Sequence, residues 1–268
     1  MERGGIQDAM SYQHILSATV AGLTTITMNR PERRNALSEA HMRELIAALR
    51  AAGDDPEVRA VILAANGPAF SAGHDFADMA ERDEPGMRRM LDVCTELMLA
   101  VQRLPQPVVA RVHAVATAAG CQLVASCDLA VAAEEATFAT PGGKGGWFCT
   151  TPMVAVARAV GRKRALEMLF TGDPIDARTA LAWGLVNRVV PGERLVEETE
   201  ALARAASRGS LASKALGKRA FYDTIDLDVE AAYARAVPVM AASATTADGK
   251  EMMRSFLEKR PAVYPPRR

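Results

Sequence analysis

Pro68-Ala-Phe-Ser-Ala-Gly-His-Asp-Phe-Ala-Asp78 and Val115-Ala-Thr-Ala-Ala-Gly-Cys-Gln-Leu123 are two small-residue loops, each leaving a strand-like stretch of the chain. Small side chains let backbones approach closely, so the two loops are able to aim a pair of main-chain N–H groups at one carbonyl oxygen. Such an oxyanion hole acts on developing charge, each well-aimed donor contributing roughly 2.7–4 kcal/mol in the transition state. A helix starting near Ala118 adds the positive end of its dipole at the same place. Beside the hole, where proton transfer calls for a carboxylate, stands the amide Gln122.

Strand and helix patterns alternate around these loops. Residues 12–16 and 23–28 read as paired strands, and Ser38 is placed to cap a helix carrying Met42, Leu45, Ile46 and Leu49 on one face until Gly53 and Pro56 end it. Residues 58–64, 107–112 and 129–133 read as buried strands, 86–104 and 118–126 as helices. From Thr150 the pattern turns helical, with Pro152 at a first helical position, Asp176 as a cap, and helical spacing over 194–207 and 227–257. The alternation predicts an α/β protein with a layered core in its first half.

With 268 residues, 49% of them hydrophobic, the chain is able to bury a full core. Acidic and basic residues balance at 32 each, so no net field favours nucleic acid or an anionic membrane. The four cysteines show no CxxC spacing and the four histidines are scattered, which predicts reduced thiols and no metal site. Residues 1–10 lack an apolar leader, and Arg111 and His113 interrupt the apolar run from Val108, so a cytoplasmic protein without membrane spans is expected.

Several motifs then occur in order: Asn29-Arg-Pro-Glu-Arg-Arg-Asn-Ala-Leu37, Ala69-Phe-Ser-Ala-Gly-His-Asp75, Gly120-Cys-Gln-Leu123 followed by Cys127-Asp128, Phe170-Thr-Gly-Asp-Pro-Ile175, Gly184-Leu-Val-Asn187 and Phe256-Leu-Glu-Lys-Arg260. In this set the chain resembles the crotonase, or enoyl-CoA hydratase/isomerase, superfamily. Ser71-Ala-Gly-His-Asp75, Ala118-Ala-Gly-Cys-Gln-Leu-Val-Ala-Ser-Cys-Asp128 and Phe138-Ala-Thr-Pro141 look most like its enoyl-CoA hydratase domain-containing protein 3 subgroup. The resemblance implies a ββα spiral core over 1–190, a helical trimerisation region over 191–268, and a homotrimer or dimer of trimers. It implies an acyl-CoA thioester as partner, with coenzyme A entering as part of the substrate and no separate cofactor. By motif position the carbonyl donors are the amides of His74 and Ala119, within a binding segment that includes Ser71, Gly73, Asp75, Phe76 and Gly120. Arg33, Arg34 and Lys259 stand where family members contact the coenzyme A phosphates, a task suited to arginine's planar fork. Met79, Leu91, Trp147 and Phe148 are candidates for the acyl pocket.

Hydratases of this family hold two glutamates over the thioester. Here their positions are Gln122 and Gly142, neither able to exchange a proton, so acid–base help worth about 10²- to 10⁴-fold per group is absent. Asp75 is the best substitute among nearby carboxylates, with Asp78, Glu134 and Glu135 read as solvated or capping. Cys149, before a helix start, reads either as an activated thiolate or as a buried inert thiol. Lys144 reads as an acyl or coenzyme A contact or as a solvated loop residue. Ala69-Phe-Ser-Ala-Gly73 nearly matches a nucleophile elbow, but Asn66-Gly-Pro68 is expected to break the strand an elbow needs. The functions left open are a family enzyme polarising a thioester, a non-catalytic acyl-CoA binder, and an isomerase or thioester hydrolase.

Overall fold

A computed structural model describes residues 12–265; the segment 1–10, read above as lacking a leader, lies outside them. Six strands form one sheet in the order Ile15–Val20, Leu23–Met28, Ala60–Ala65, Val108–Val112, Leu129–Ala133 and Arg188–Val190. The first pair is antiparallel and all later pairs are parallel. Parallel strands covered on both faces need apolar residues at every position, which is why Ala60-Val-Ile-Leu-Ala-Ala65 shows no alternation. Val61 and Leu63 face the cluster that includes Leu45 and Leu97 of helices Glu39–Asp54 and Glu84–Arg103. Ala60 and Ile62 point to the opposite face, where Leu195 and Ala203 of helix Leu195–Ala206 cover them. This helix therefore closes the core layer, although the sequence assigns it to the C-terminal region.

A second sheet runs Ala69–Ser71, Val115–Thr117, Thr137–Ala139 and Ile175–Asp176. Each turn of chain contributes a long strand, a short strand of this second sheet, and a helix: Val108–Val112, Val115–Thr117, then Ala119–Ser126. The architecture is the ββα spiral that the resemblance implies. Three-residue strands offer too few positions to show a period, so the second sheet is not visible in the pattern of apolar residues.

The second strand of the first hairpin, Leu23–Met28, has the expected bounds, whereas the first begins at Ile15, three residues later than expected, and runs to Val20. Ala21 and Gly22 both take positive φ, 49° and 77°, giving the two-residue turn that matches strand twist. Strand Ile15–Val20 is exposed after Ile15, so its sequence lacks a buried face to read. The helical stretch 227–257 is two helices, Val229–Ala244 and Ala247–Leu257, divided where the Thr246 side chain caps the second. Further helices among the described residues are Phe76–Met79, Pro152–Val160, Arg162–Thr171, Ala177–Trp183 and Leu211–Thr224.

Helix Leu211–Thr224 is tied to the core through Asp128. Its Lys218 Nζ lies 2.6 Å from Asp128 Oδ2 and also donates to the carbonyls of Val101 and Gln106, at 2.9 and 3.0 Å. Tyr222 donates to Asp128 Oδ1 at 2.9 Å, and the Val108 amide to Oδ2 at 2.7 Å. Desolvation dominates this largely buried cluster, pushing Asp128 up and Lys218 down from their ordinary values. Replacing Asp128 by Ala strands the ammonium, the phenol and an amide, and urea denaturation should show a loss of about 3–5 kcal/mol.

Candidate active site

The first loop is held by Asn35. This residue is fully buried, with φ of 52°, and its Nδ2 donates to the carbonyls of Asn66 and Ala69 at 2.7 and 2.8 Å. Its Oδ1 accepts from Arg30 N at 2.8 Å, and its carbonyl accepts from Ser71 Oγ at 2.9 Å. Backbone bonds continue the seam: Ala72 N to Arg34 O, Leu37 N to Gly73 O, and Asp75 N to Leu37 O. Leu37 and His74 thus form a parallel bridge that occupies the groups on either side of His74 N–H. Among the described residues, His74 N–H itself has no acceptor.

In the second loop the turn into the helix is strained. Ala118 takes φ 51° and ψ −118°, a region costly for a residue with a Cβ, and its amide is fixed on Ala139 O at 2.9 Å. Helix Ala119–Ser126 starts at once, and the N–H of buried Ala119, a first-turn donor, has no acceptor among the described residues. Two glycines let the loops touch. A Cβ on Gly73 would lie 2.9 Å from Ala118 Cβ and 3.3 Å from Ala119 N, while one on Gly120 would lie 2.5 Å from Ser71 O. The turn at Gly73, the residue before His74, is therefore packed against Ala118 and Ala119.

Neither glutamate position supplies an acid or base. Gln122 is buried, its Oε1 4.0 Å from the Cys94 thiol, which burial pushes up to about 12 and keeps protonated. At Gly142 a Cβ would lie 2.0 Å from Trp147 O and 2.8 Å from Cys149 Sγ. The loop has folded into that space: Gly145 N and Trp147 N donate to Gly142 O, and Gly142 N donates to Cys149 Sγ at 3.3 Å.

The proposed substitutes are occupied elsewhere. Asp75 accepts from Arg30 through Oδ2 at 3.1 Å and from Ala77 N through Oδ1 at 3.1 Å, so its carboxylate holds its own loop. Asp78 pairs with Arg82, Glu134 with Arg178, and exposed Lys144 with Asp173; Glu135 is exposed. Burial raises the Cys149 thiol above its ordinary value, so of its two readings the buried inert one holds. The long strand ends at Ala65 and residues 66–68 break it as expected, only the short strand Ala69–Ser71 reaching the serine, whose Oγ donates to Asn35 O while the His74 ring has no hydrogen-bond partner among the described residues. Among the described residues Ser71 and His74 form no relay.

Arg33 and Arg34 are exposed on a turn stitched to the first loop. Lys259 follows helix Ala247–Leu257, which packs with the C-terminal helices. Phe76 is exposed, Met79 is part of the main core, and Leu91 packs half-buried against it. Trp147 stands 6.3 Å, ring to ring, from His74, and Phe148 stands 5.9 Å from Phe170. Trp147 is thus near the loops, whereas Met79 belongs to the packing beneath them. Asn35 and Arg30, which hold the first loop, lie in a motif quoted above but reveal their role only through contacts distant in sequence.

The spiral fold and the paired small-residue loops define a crotonase-type protein. Residues 18–267 match the Enoyl-CoA hydratase/isomerase family, and the chain belongs to it. It is 44% identical over 250 residues to the Danio rerio protein named enoyl-CoA hydratase domain-containing protein 3, mitochondrial, covering 93% of this chain and 86% of that one. The Homo sapiens protein of the same name is 42% identical over 244 residues, 91% of this chain and 80% of that one. Among solved structures, an enoyl-CoA hydratase from Mycobacterium smegmatis superposes with a TM-score of 0.91 at 47% identity, covering 94% of this chain and 99% of that one. The human domain-containing protein 3 superposes at 0.90 with 41% identity, over 94% and 100% of the two chains.

Two predictions follow from the loop supports. Asn35→Ala leaves several buried groups unpaired and should lower stability by roughly 3 kcal/mol or more in urea titration. His41, fully buried with Nδ1 3.1 Å from Ala36 O, has its pKa lowered to about 4, mainly by burial. Its folded value lies below the unfolded one, so the unfolded chain binds the extra proton as acid is added. The contribution is complete above about pH 6.5 and is lost towards pH 4; unfolding midpoints at pH 7 and 5 should differ, and less so in His41→Gln.

Proposed function

We propose that the chain binds an acyl-CoA thioester with its carbonyl oxygen between the amides of His74 and Ala119, and that it stabilises an enolate rather than adding water. The observation that supports this reading is the close contact at Gly73 and Gly120, the residues next to His74 and Ala119, whose amides have no acceptor among the described residues. Coenzyme A enters as part of the substrate, with no separate cofactor. Exposed Arg33 and Arg34 beside the first loop suit its phosphates, and Trp147 and Phe148 suit the acyl end. With an amide at 122 and a filled space at 142, water has no carboxylate to activate it.

A trimer or dimer of trimers fits the C-terminal helices. Val229, Tyr233, Val237 and Met240 are 71, 69, 62 and 73% exposed along one helix, an apolar stripe that a second copy would cover. Among the described residues no helix is long and apolar enough to cross a membrane. Four unpaired cysteines fit a reducing, cytoplasmic setting.

Butyryl-CoA should bind in isothermal titration, while crotonyl-CoA hydration should run at least 10²- to 10⁴-fold below the usual 1–10³ s⁻¹ of enzymes. Gln122→Glu combined with Gly142→Glu should not restore hydration, because the second side chain has no room. No binding at millimolar ligand, or hydration at ordinary enzymatic rates by the natural chain, would contradict the reading. Light scattering should give a multiple of three chains; a monomer would contradict the assembly.

A further inference from the structure

Five buried side-chain atoms have no hydrogen-bond partner among the described residues, and three of them border the two loops: His74 Nδ1, His74 Nε2 and Thr140 Oγ1. Thr140 follows Ala139, whose carbonyl fixes the Ala118 amide. His74 is only 9% exposed, yet both of its ring nitrogens are unmet. Buried polar atoms are nearly always paired, and an imidazole serving only as filler loses hydration with no return. His41 shows the ordinary solution, with Nδ1 against the Ala36 carbonyl. The Leu37 backbone lies near enough to His74 to influence its ionisation but makes no hydrogen bond with the ring.

The neighbouring aromatic ring is Trp147, at 6.3 Å between centroids and tilted by 40°. Trp147 belongs to the turn that fills the space at Gly142, so the imidazole faces the segment where the family's second carboxylate is missing. The turn carries two glycines before Trp147, Gly145 and Gly146, the latter at φ 87°.

Resting on the acyl-CoA reading above, we infer that the imidazole of His74 is the catalytic base of this site, removing and returning the α-proton of a thioester whose oxygen is held by the His74 and Ala119 amides. The ring lone pair takes the α-proton, the C–H pair becomes the carbon–carbon π bond of the enolate, and the carbonyl π pair moves onto the oxygen. Reversal returns the proton and restores the neutral ring, so no oxidant or co-substrate is consumed. With a 3,4-unsaturated acyl group, return of the proton at C4 moves the double bond to the 2,3 position. Burial lowers the ring's pKa, so it is neutral and ready to accept a proton at pH 7. The adjacent carboxylate of Asp75 is neutralised by Arg30.

The test is exchange of the α-hydrogens of butyryl-CoA in D₂O, followed by proton NMR, with binding titrated in parallel. The natural chain should exchange them, and His74→Gln should do so at least about 100-fold more slowly. In the unaltered protein, the ring ¹⁵N signals of His74 should shift when butyryl-CoA is added, a readout that stands even if the variant misfolds. Binding without exchange, exchange by His74→Gln at the natural rate, or unmoved ring signals on binding would each overturn the inference while leaving the acyl-CoA reading intact. Failure to bind would overturn both.

Discussion

The approach of two backbone segments at Gly73 and Gly120 governs this molecule's site. With a Cβ at Gly120 the second loop would collide with Ser71 O at 2.5 Å, and with one at Gly73 the first would press on Ala118. Nothing in that contact is attractive in itself. It is imposed by Asn35, whose amide and carbonyl engage four partners in three separate segments, and by the Ala118 amide anchored to the neighbouring strand. The left-handed conformation of Ala118 is of the kind that costs of order 1–3 kcal/mol, and it survives because the surroundings over-determine it. Local strain and two unpaired amides are thus held by a rigid spiral.

In the proposed reading the donors for an oxygen are backbone groups, and backbone geometry is maintained by residues far from the chemistry. Proton-transfer groups are side chains, and here one position is an amide and the other is sealed by the loop's own carbonyl. Gly142 is therefore more than an absent carboxylate, since the turn from 142 to 147 has closed around it and brought Trp147 against His74. The imidazole of His74, without a hydrogen-bond partner among the described residues, lies beside this turn.

The sequence revealed the long elements well because they carry many periodic positions or a clear cap. Ser38 and Asp176 both cap helices as their types suggest, and Leu129–Ala133 has the bounds expected of a buried apolar run. It was silent on Ala69–Ser71, Val115–Thr117 and Thr137–Ala139, which are too short to show a period. At the site, the small residues of the two loops were legible as a licence for close approach. The holding network was not, since Asn35 meets partners 31 and 34 residues away and nothing local marks those distances. Likewise the sequence offered His74 only as a candidate donor amide, while the lack of partners for its ring nitrogens among the described residues shows only in the folded chain.

The proposed function requires two main-chain donors to converge on one thioester oxygen. Infrared spectra of butyryl-CoA carrying an isotope-labelled thioester carbonyl, free and bound, measure that most directly. Convergence predicts a bound carbonyl band moved to lower frequency, the mark of a polarised C=O. A bound ligand whose band stays at its free position would contradict it.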